Sequence, residues 1–313
     1  MGRTCFFCAG AYPALQRTLF VSRFVPGTVN RSNAVRLDVA GKAVNAARAL
    51  QRLGGDPVVA GFSGGSSGME IERLLREDGL DCSGLLSIDA PVRICQTILP
   101  SDGNPFTELV EEGPELNMDT WRALAAHCAG CIQEMDAGVM ILAGTMPEHA
   151  SLDFYPELIL AAQVPTILDT SGRALLAALE AKPDIVKINA EELRTSCALD
   201  GIVTENVVDM ASHLLSKGAG CVGITRGGQA AFLVTEHGVW SFAVPAVEVV
   251  SALGSGDCVN AGMAYALAKG ESLEEAFSFG LACGSANAEV EQPGGIDVDR
   301  VIALSRKVHM HRL

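Results

Sequence analysis

The stretch Val249-Val-Ser-Ala-Leu-Gly254-Ser-Gly-Asp257-Cys-Val-Asn-Ala-Gly262-Met-Ala-Tyr-Ala-Leu267 reads as a short glycine turn that delivers one carboxylate to the start of an apolar helix. Gly254 and Gly256 let the backbone turn tightly and approach a ligand closely. The first N–H groups of a helix have no partner within it and point outward, so such a start is an anion site. Asp257 is a poor phosphate ligand, because its own charge repels one. Two roles account for it: a helix cap, for which Asp is favoured, or a base that takes the proton from an attacking hydroxyl. Further along, Val259, Met263, Ala266 and Leu267 share one helical face and Gly270 follows the end, a stripe that belongs to the core.

On either side of this turn, short apolar strands alternate with amphipathic helices. That is the pattern of an α/β protein with a mostly parallel central sheet covered by helices on both faces. Strands are expected over 58–61, 139–143, 166–169, 184–188, 221–225, 231–235 and 240–244. The last two form an antiparallel hairpin at a sheet edge, joined across Glu236-His237-Gly238. Helices are expected over 42–52, 69–77, 119–128, 173–180, 207–216, 257–268 and 273–288. Residues 18–39 and 92–111 break the rhythm: polar and apolar residues alternate between turns such as Asp102-Gly103-Asn104-Pro105. They are expected to form one small sheet. With no internal repeat or linker, residues 1–313 read as a single domain with this sheet as an insertion.

Composition narrows the function. A net charge of −14 argues against a sequence-independent hold on nucleic acid or an anionic membrane, which needs a basic face. Anionic substrates must then meet a local basic site. No apolar run approaches the ~20 residues of a membrane span, and no charged-then-apolar leader opens the chain. The ten cysteines are scattered through apolar stretches and read as reduced, mostly buried thiols of a cytoplasmic protein. Cys5-Phe-Phe-Cys8 has redox or metal spacing, but it lies in a strand-like run and no second pair follows. There is neither a P-loop nor a Gly-x-Gly-x-x-Gly fingerprint. Gly64-Gly-Ser66-Ser-Gly68 does fit a Gly-x-Ser-x-Gly nucleophile elbow, so a serine hydrolase using Ser66 is a rival reading, although no His-Gly-Gly oxyanion segment accompanies it.

Several segments in a fixed order carry a family resemblance. Gly254-Ser-Gly-Asp257-Cys-Val-Asn-Ala-Gly262 resembles the C-terminal signature of the PfkB branch of the ribokinase-like carbohydrate kinases. Ala40-Gly-Lys42-Ala-Val-Asn45 resembles its N-terminal signature. Thr107-Glu-Leu-Val-Glu-Glu-Gly113-Pro, Gly144-Thr-Met-Pro147, Leu168-Asp-Thr-Ser-Gly172, Lys187-Ile-Asn189-Ala-Glu-Glu192-Leu and Thr225-Arg-Gly227 also resemble family segments. Several of these are typical of the phosphosugar kinases. The match runs from about residue 10 to about residue 297.

The resemblance implies a ribokinase-like fold in which 18–39 and 92–111 form a β lid over the sugar site, a lid that some members pair between subunits into a homodimer. It implies ATP-dependent phosphoryl transfer to a small sugar, most readily a sugar phosphate such as fructose 1-phosphate or tagatose 6-phosphate, assisted by Mg²⁺. By the same resemblance Asp257 is the base, and Gly254, Ser255 and Gly256 form the anion-stabilising turn. Gln16, Gly41, Lys42, Asn45 and Arg93 would bind substrate. Lys187, Asn189, Glu192, Thr225, Gly227 and Asn287 would line the nucleotide, with Glu192 reaching Mg²⁺ through water.

Departures accompany the matches. The family's Gly-Gly-Lys-Gly is Ala40-Gly-Lys-Ala43, which adds two methyl groups where backbone approaches the sugar. Its Asn-Pro-Ala-x-Asp is Tyr12-Pro-Ala-Leu-Gln16, and Gln can hydrogen-bond but carries no charge. Its Arg-x-Asn-x-Lys is Arg93-Ile-Cys-Gln-Thr97, one cation fewer. The sugar end is rebuilt while the catalytic end is intact, so a non-catalytic sugar- or nucleotide-binding homologue is a second alternative.

Overall fold

The computed structural model describes residues 4–135 and 137–313. β1 (Cys5–Ala9) leads into β2 (Ala14–Val21) and β3 (Ala34–Ala40), followed by α1 (Lys42–Arg52), β4 (Asp56–Gly64), α2 (Gly65–Glu77) and β5 (Asp81–Ile88). Next come β6 (Ile94–Pro100), β7 (Thr107–Val110), α3 (Met118–Met135), β8 (Val139–Ala143), α4 (Phe154–Ala161), β9 (Thr166–Asp169) and α5 (Gly172–Leu179). β10 (Ile185–Asn189), α6 (Ala190–Leu199), α7 (Val207–Lys217), β11 (Cys221–Thr225), β12 (Ala231–Thr235) and β13 (Gly238–Ala243) continue the chain. α8 (Ser255–Ala268), α9 (Leu273–Ala288), α10 (Val298–Ser305) and β14 (His309–Arg312) complete it.

Among the described residues the main sheet has ten strands in the order β14-β13-β12-β11-β10-β9-β8-β1-β4-β5. From β5 to β11 the neighbours run parallel, and from β11 to β14 they run antiparallel. The central strands are apolar on both faces because helices cover both: every residue of β8 is buried, and Phe6, Phe7, Cys8 and Ala9 are fully enclosed. In open parallel sheets ligands gather beyond the carboxyl ends of the strands. The ends of β8, β9, β10 and β11 here deliver Gly144, Asp169, Asn189 and Thr225.

The two irregular stretches form a second sheet, ordered β3-β2-β6-β7. β2 pairs antiparallel with β3 and parallel with β6, setting Gln16 opposite Asp38 and Cys95. Exposed Val35, Leu37, Phe106, Leu109 and Val110 leave part of this sheet apolar towards solvent. One expectation needs correction. The β12–β13 hairpin is not the sheet edge, because β14 pairs with β13 from Trp240–Arg312 to Ala243–His309 and lies outside it.

All ten cysteines are free thiols. Cys5 and Cys8 lie three residues apart on β1, so their side chains point to opposite faces and cannot act as a pair. No helix of the described residues is long and apolar enough to cross a membrane.

Candidate active site

Asp257 occupies the first turn of α8, 6% exposed, behind Gly254 in the left-handed conformation at φ 79°. A Cβ on Gly254 would come within 2.6 Å of Pro293 Cβ, so both the dihedral and the space call for glycine. No side chain caps this helix. The Asp257 carboxylate instead accepts a hydrogen bond from Asn45 Nδ2 of α1, at 2.8 Å. Ser255 N donates to Ala252 O and Cys258 N to Gly254 O, whereas the N–H groups of Gly256 and Asp257 have no hydrogen-bond partner among the described residues. They are open donors at the positive end of the helix, where negative charge is favoured. Lys187 stands beside them, its Nζ 2.9 Å from where a Cβ on Gly256 would lie.

A second carboxylate completes the electrostatics. Asp169, at the end of β9 and 1% exposed, accepts from Lys42 Nζ at 2.8 Å and Asn260 Nδ2 at 2.6 Å and is ion-paired to Lys187. Lys42 Nζ also reaches Glu192 Oε1, at 3.1 Å. Burial pushes the Asp257 carboxyl up and the charge of Asp169 adds to this, while the Asn45 hydrogen bond, Lys187 and Lys42 act against them, leaving it raised to about 7. Burial acts on Asp169 in the same sense, but Lys187 and Lys42 outweigh it and hold that carboxyl down at about 2. For Lys42, burial disfavours the charge, yet Asp169 and Glu192 raise its pKa above the ordinary lysine value. Two carboxylates with affinities for protons pushed apart divide the work: one titrates near neutrality, the other stays charged.

The candidate residues fall into three groups. Asp257, Gly254, Ser255, Gly256, Asn45, Lys42 and Lys187 converge on one cluster, and Gly41 caps the helix that carries Lys42 and Asn45. Asn189 and Thr225 are neighbours at the ends of β10 and β11, with Gly227 in the exposed turn beyond. Asn189 Oδ1 accepts from Glu191 N and Glu192 N, and Glu192 Oε2 accepts from Asn189 N at 3.2 Å, a reciprocal capping box at the start of α6. Gln16 and Arg93 lie apart: Gln16 Nε2 donates to Thr97 Oγ1 at 2.7 Å, while no hydrogen bond or ion pair among the described residues links Arg93 to the Asp257 cluster. Arg93 Nε is buried with no partner.

Three expectations change. Lys42 does not reach free into the cleft for a substrate phosphate, because its ammonium is committed to Asp169 and Glu192. Asn287 does not offer its amide to a nucleotide: it is 0% exposed and its oxygen and nitrogen are both used within the protein. Ala43 does not obstruct the cleft, since it is 4% exposed and its methyl packs 3.2 Å from where a Cβ on Gly10 would lie. Tyr12, in place of the family's Asn, packs tilted against Phe62 and edge-on to Trp121 and donates from its hydroxyl to Pro114 O at 2.9 Å. Ser66 is exposed at the start of α2, and no histidine hydrogen-bonds to it among the described residues. Asp169 and Asn260 are the site residues that sequence reasoning passed over. Leu168-Asp-Thr-Ser-Gly172 at a strand end was the available signal for the first, and a position one helical turn after Asp257 for the second.

Residues 11–298 match the model of the pfkB family of carbohydrate kinases. The 1-phosphofructokinase of Bacillus subtilis is 31% identical over 285 residues, which cover 90% of this chain and 92% of that protein. A tagatose-6-phosphate kinase of Staphylococcus epidermidis is 28% identical over 306 residues, covering 95% of this chain and 96% of the other. Phosphofructokinase-2 from Escherichia coli, solved in complex with fructose-6-phosphate, superposes with a TM-score of 0.82 at 26% identity, covering 98% of this chain and 99% of that one. A buried carboxylate at the start of a glycine-turned helix and a family match over nearly the whole length lead to one conclusion: the chain belongs to the pfkB family of carbohydrate kinases.

Proposed function

We propose that this kinase transfers the γ-phosphoryl group of ATP to a hydroxyl of a sugar phosphate such as fructose 1-phosphate or tagatose 6-phosphate, with Asp257 as general base. The observation that carries the reading is a buried carboxylate, raised to about 7, beside the unpartnered N–H groups of Gly256 and Asp257. A hydroxyl placed between Asp257 and the γ-phosphorus loses its proton to the carboxylate as its oxygen attacks. The two N–H groups and Lys187 then face the charge on the transferred oxygens. Asn45 keeps the receiving oxygen in place. Burial, with the charge of Asp169 added to it, holds the proton affinity of Asp257 near neutrality.

For the metal, the donor set is informative. Among the described residues no group of three or more His, Cys, Asp or Glu side chains could hold an ion directly. Lys42, Lys187 and Asn260 occupy Asp169, and Lys42 with Asn189 N engages Glu192. These residues fit Mg²⁺ that arrives on the nucleotide and meets Glu192 through water. Bound there, it would supply charge neutralisation on the phosphate oxygens.

Arg93 supports a phosphorylated acceptor. It is a half-buried guanidinium with no ion pair among the described residues, in a chain of net charge −14. Unlike Lys42, it keeps its charge available for a planar, bidentate anion. We also assign the exposed apolar residues at the β7 edge of the second sheet, Leu109 and Val110 with Phe106 just before the strand, to contact with a second copy of the chain. ATP consumption across a panel of sugars and sugar phosphates tests the reading. The expected result is turnover with a phosphorylated acceptor and, for Arg93→Ala, an acceptor KM raised at least tenfold with the KM for ATP within about threefold of the wild-type value. A free sugar as best acceptor, with Arg93→Ala silent, overturns the phosphosugar assignment and leaves the kinase.

A further inference from the structure

Asn287, near the end of α9, makes four hydrogen bonds from one fully buried amide. Its Nδ2 donates to Leu253 O at 2.8 Å and to Ser255 Oγ at 3.2 Å. Its Oδ1 accepts from Gly294 N at 2.8 Å and from Cys258 Sγ at 3.3 Å. Leu253 and Ser255 flank left-handed Gly254, and Cys258 follows Asp257 directly, so the donor half of the amide grips the turn that carries the base while its acceptor also holds the base's neighbour.

The other arm matters as much. Gly294, at φ 84°, sits where a Cβ would meet Asn45 O at 2.5 Å and Arg48 Cβ at 2.7 Å. The loop held by Asn287 is therefore wedged against α1 at the residue that hydrogen-bonds Asp257. Pro293 of the same loop closes on Gly254, its Cβ 2.6 Å from where a Gly254 Cβ would lie. One amide thus fixes both sides of the Asn45–Asp257 contact: the turn that delivers Asp257 and the wedge that backs Asn45.

We infer that Asn287 is a positioning residue for phosphoryl transfer, holding the Gly254–Asp257 turn and the 293–294 wedge in register so that Asp257 meets the acceptor hydroxyl. The inference rests on Asp257 acting as base. It assigns Asn287 no contact with either substrate. Loss of register by about 1 Å costs on the order of 10²-fold in rate, because reacting atoms must lie within a narrow range of distance and angle.

The test is steady-state kinetics of Asn287→Ala beside wild type, at a temperature well below the Tm of each. Gly294→Ala, which pushes the wedge from its other end, serves as a second variant should the first not fold. The expected result is a fall in kcat of about 10- to 100-fold, with both KM values within about threefold of wild type and the acid limb of kcat/KM displaced towards lower pH as water reaches Asp257. A lowered Tm with kcat unchanged makes Asn287 merely structural and overturns the inference. So does a large rise in the KM for ATP at unchanged kcat, which would place Asn287 against the nucleotide. Failure of the function is separable from both, because wild type itself would then turn over no acceptor.

Discussion

At the residue scale, with Asp257 as the proposed base, its environment would set the pH range in which the enzyme works. A base must be deprotonated to accept a proton, so activity is lost as pH falls through the value of the free enzyme. With that carboxyl raised to about 7, kcat/KM is expected to rise about tenfold per pH unit below that value and to level off above it, as a pH–rate profile at saturating nucleotide would show. Asp257→Asn keeps the size and the Asn45 contact but cannot take the proton, so kcat is expected to fall by about 10² to 10⁴. The same substitution has a stability signature. Because the folded-state value lies above the unfolded one, the native protein holds more protons than the unfolded chain between roughly pH 4 and 7, and the buried charge lowers stability as pH rises through that window. Asp257→Asn should therefore raise Tm more at pH 8 than at pH 5. Equal shifts at the two values, or turnover within a few-fold of wild type, would remove Asp257 from this role.

At the scale of elements, α6 shows how one feature carries two functions. The capping box formed by Asn189 and Glu192 starts the helix, and the same Glu192 faces Lys42. Glu192→Gln separates them, since an amide oxygen still accepts from Asn189 N but brings no charge. Its expected effect is a higher Mg²⁺ concentration for half-maximal rate with little change in Tm, whereas Glu192→Ala should also lose the reciprocal bond to Asn189 N, about 1 kcal/mol, while the Asn189 cap itself stays. Melting curves with a Mg²⁺ titration of the rate distinguish the two, and an unchanged Mg²⁺ requirement in Glu192→Gln would leave Glu192 with only its structural role. Legibility also varied by element. The bounds of α1, β8, β9, β11, β12 and α9 could be read directly, because each is an apolar run or stripe closed by turn residues. β5 is only partly buried, so its alternation is weak, and β14, His-Met-His-Arg, is a strand only because β13 offers it an edge. α6 was missed despite its capping box, since only Leu193, Ser196 and Cys197 are buried along it and its apolar stripe is weak. In the site, motif order revealed the Asp257 turn, but the pairing of Lys42 with Asp169 and the burial of Asn287 depend on elements more than a hundred residues apart in one case and on helix packing in the other.

At the scale of the whole molecule, two sheets must cooperate, and one buried guanidinium ties the small sheet to the helices of the main body. Arg48 of α1, 5% exposed, donates from Nη1 to Val39 O at 2.8 Å and from Nε to Asp78 Oδ2 at 2.9 Å, and is ion-paired to Asp38. Val39 and Asp38 belong to β3 of the small sheet, and Asp78 ends α2 of the main body, so Arg48 pins this sheet three residues along α1 from Asn45. Lids that exclude water from a reaction are drawn from the less stable parts of a fold. Hydrogen exchange should accordingly find β2, β3, β6 and β7 less protected than β8 to β11 without ligand, and more protected once acceptor and nucleotide are both bound. Arg48→Met keeps the apolar stem but leaves Asp38 and Asp78 without their cation, and removing one partner of a buried ion pair typically costs about 3–5 kcal/mol. These carboxylates are partly exposed, at 18% and 35%, so the loss here should fall below that range. The variant's lid strands should exchange faster while β8 to β11 stay unchanged, and its acceptor KM should rise more than its KM for ATP. Uniformly faster exchange in both sheets would instead make Arg48 part of the general fold, and lid strands already as protected as β8 to β11 without ligand would end the lid reading.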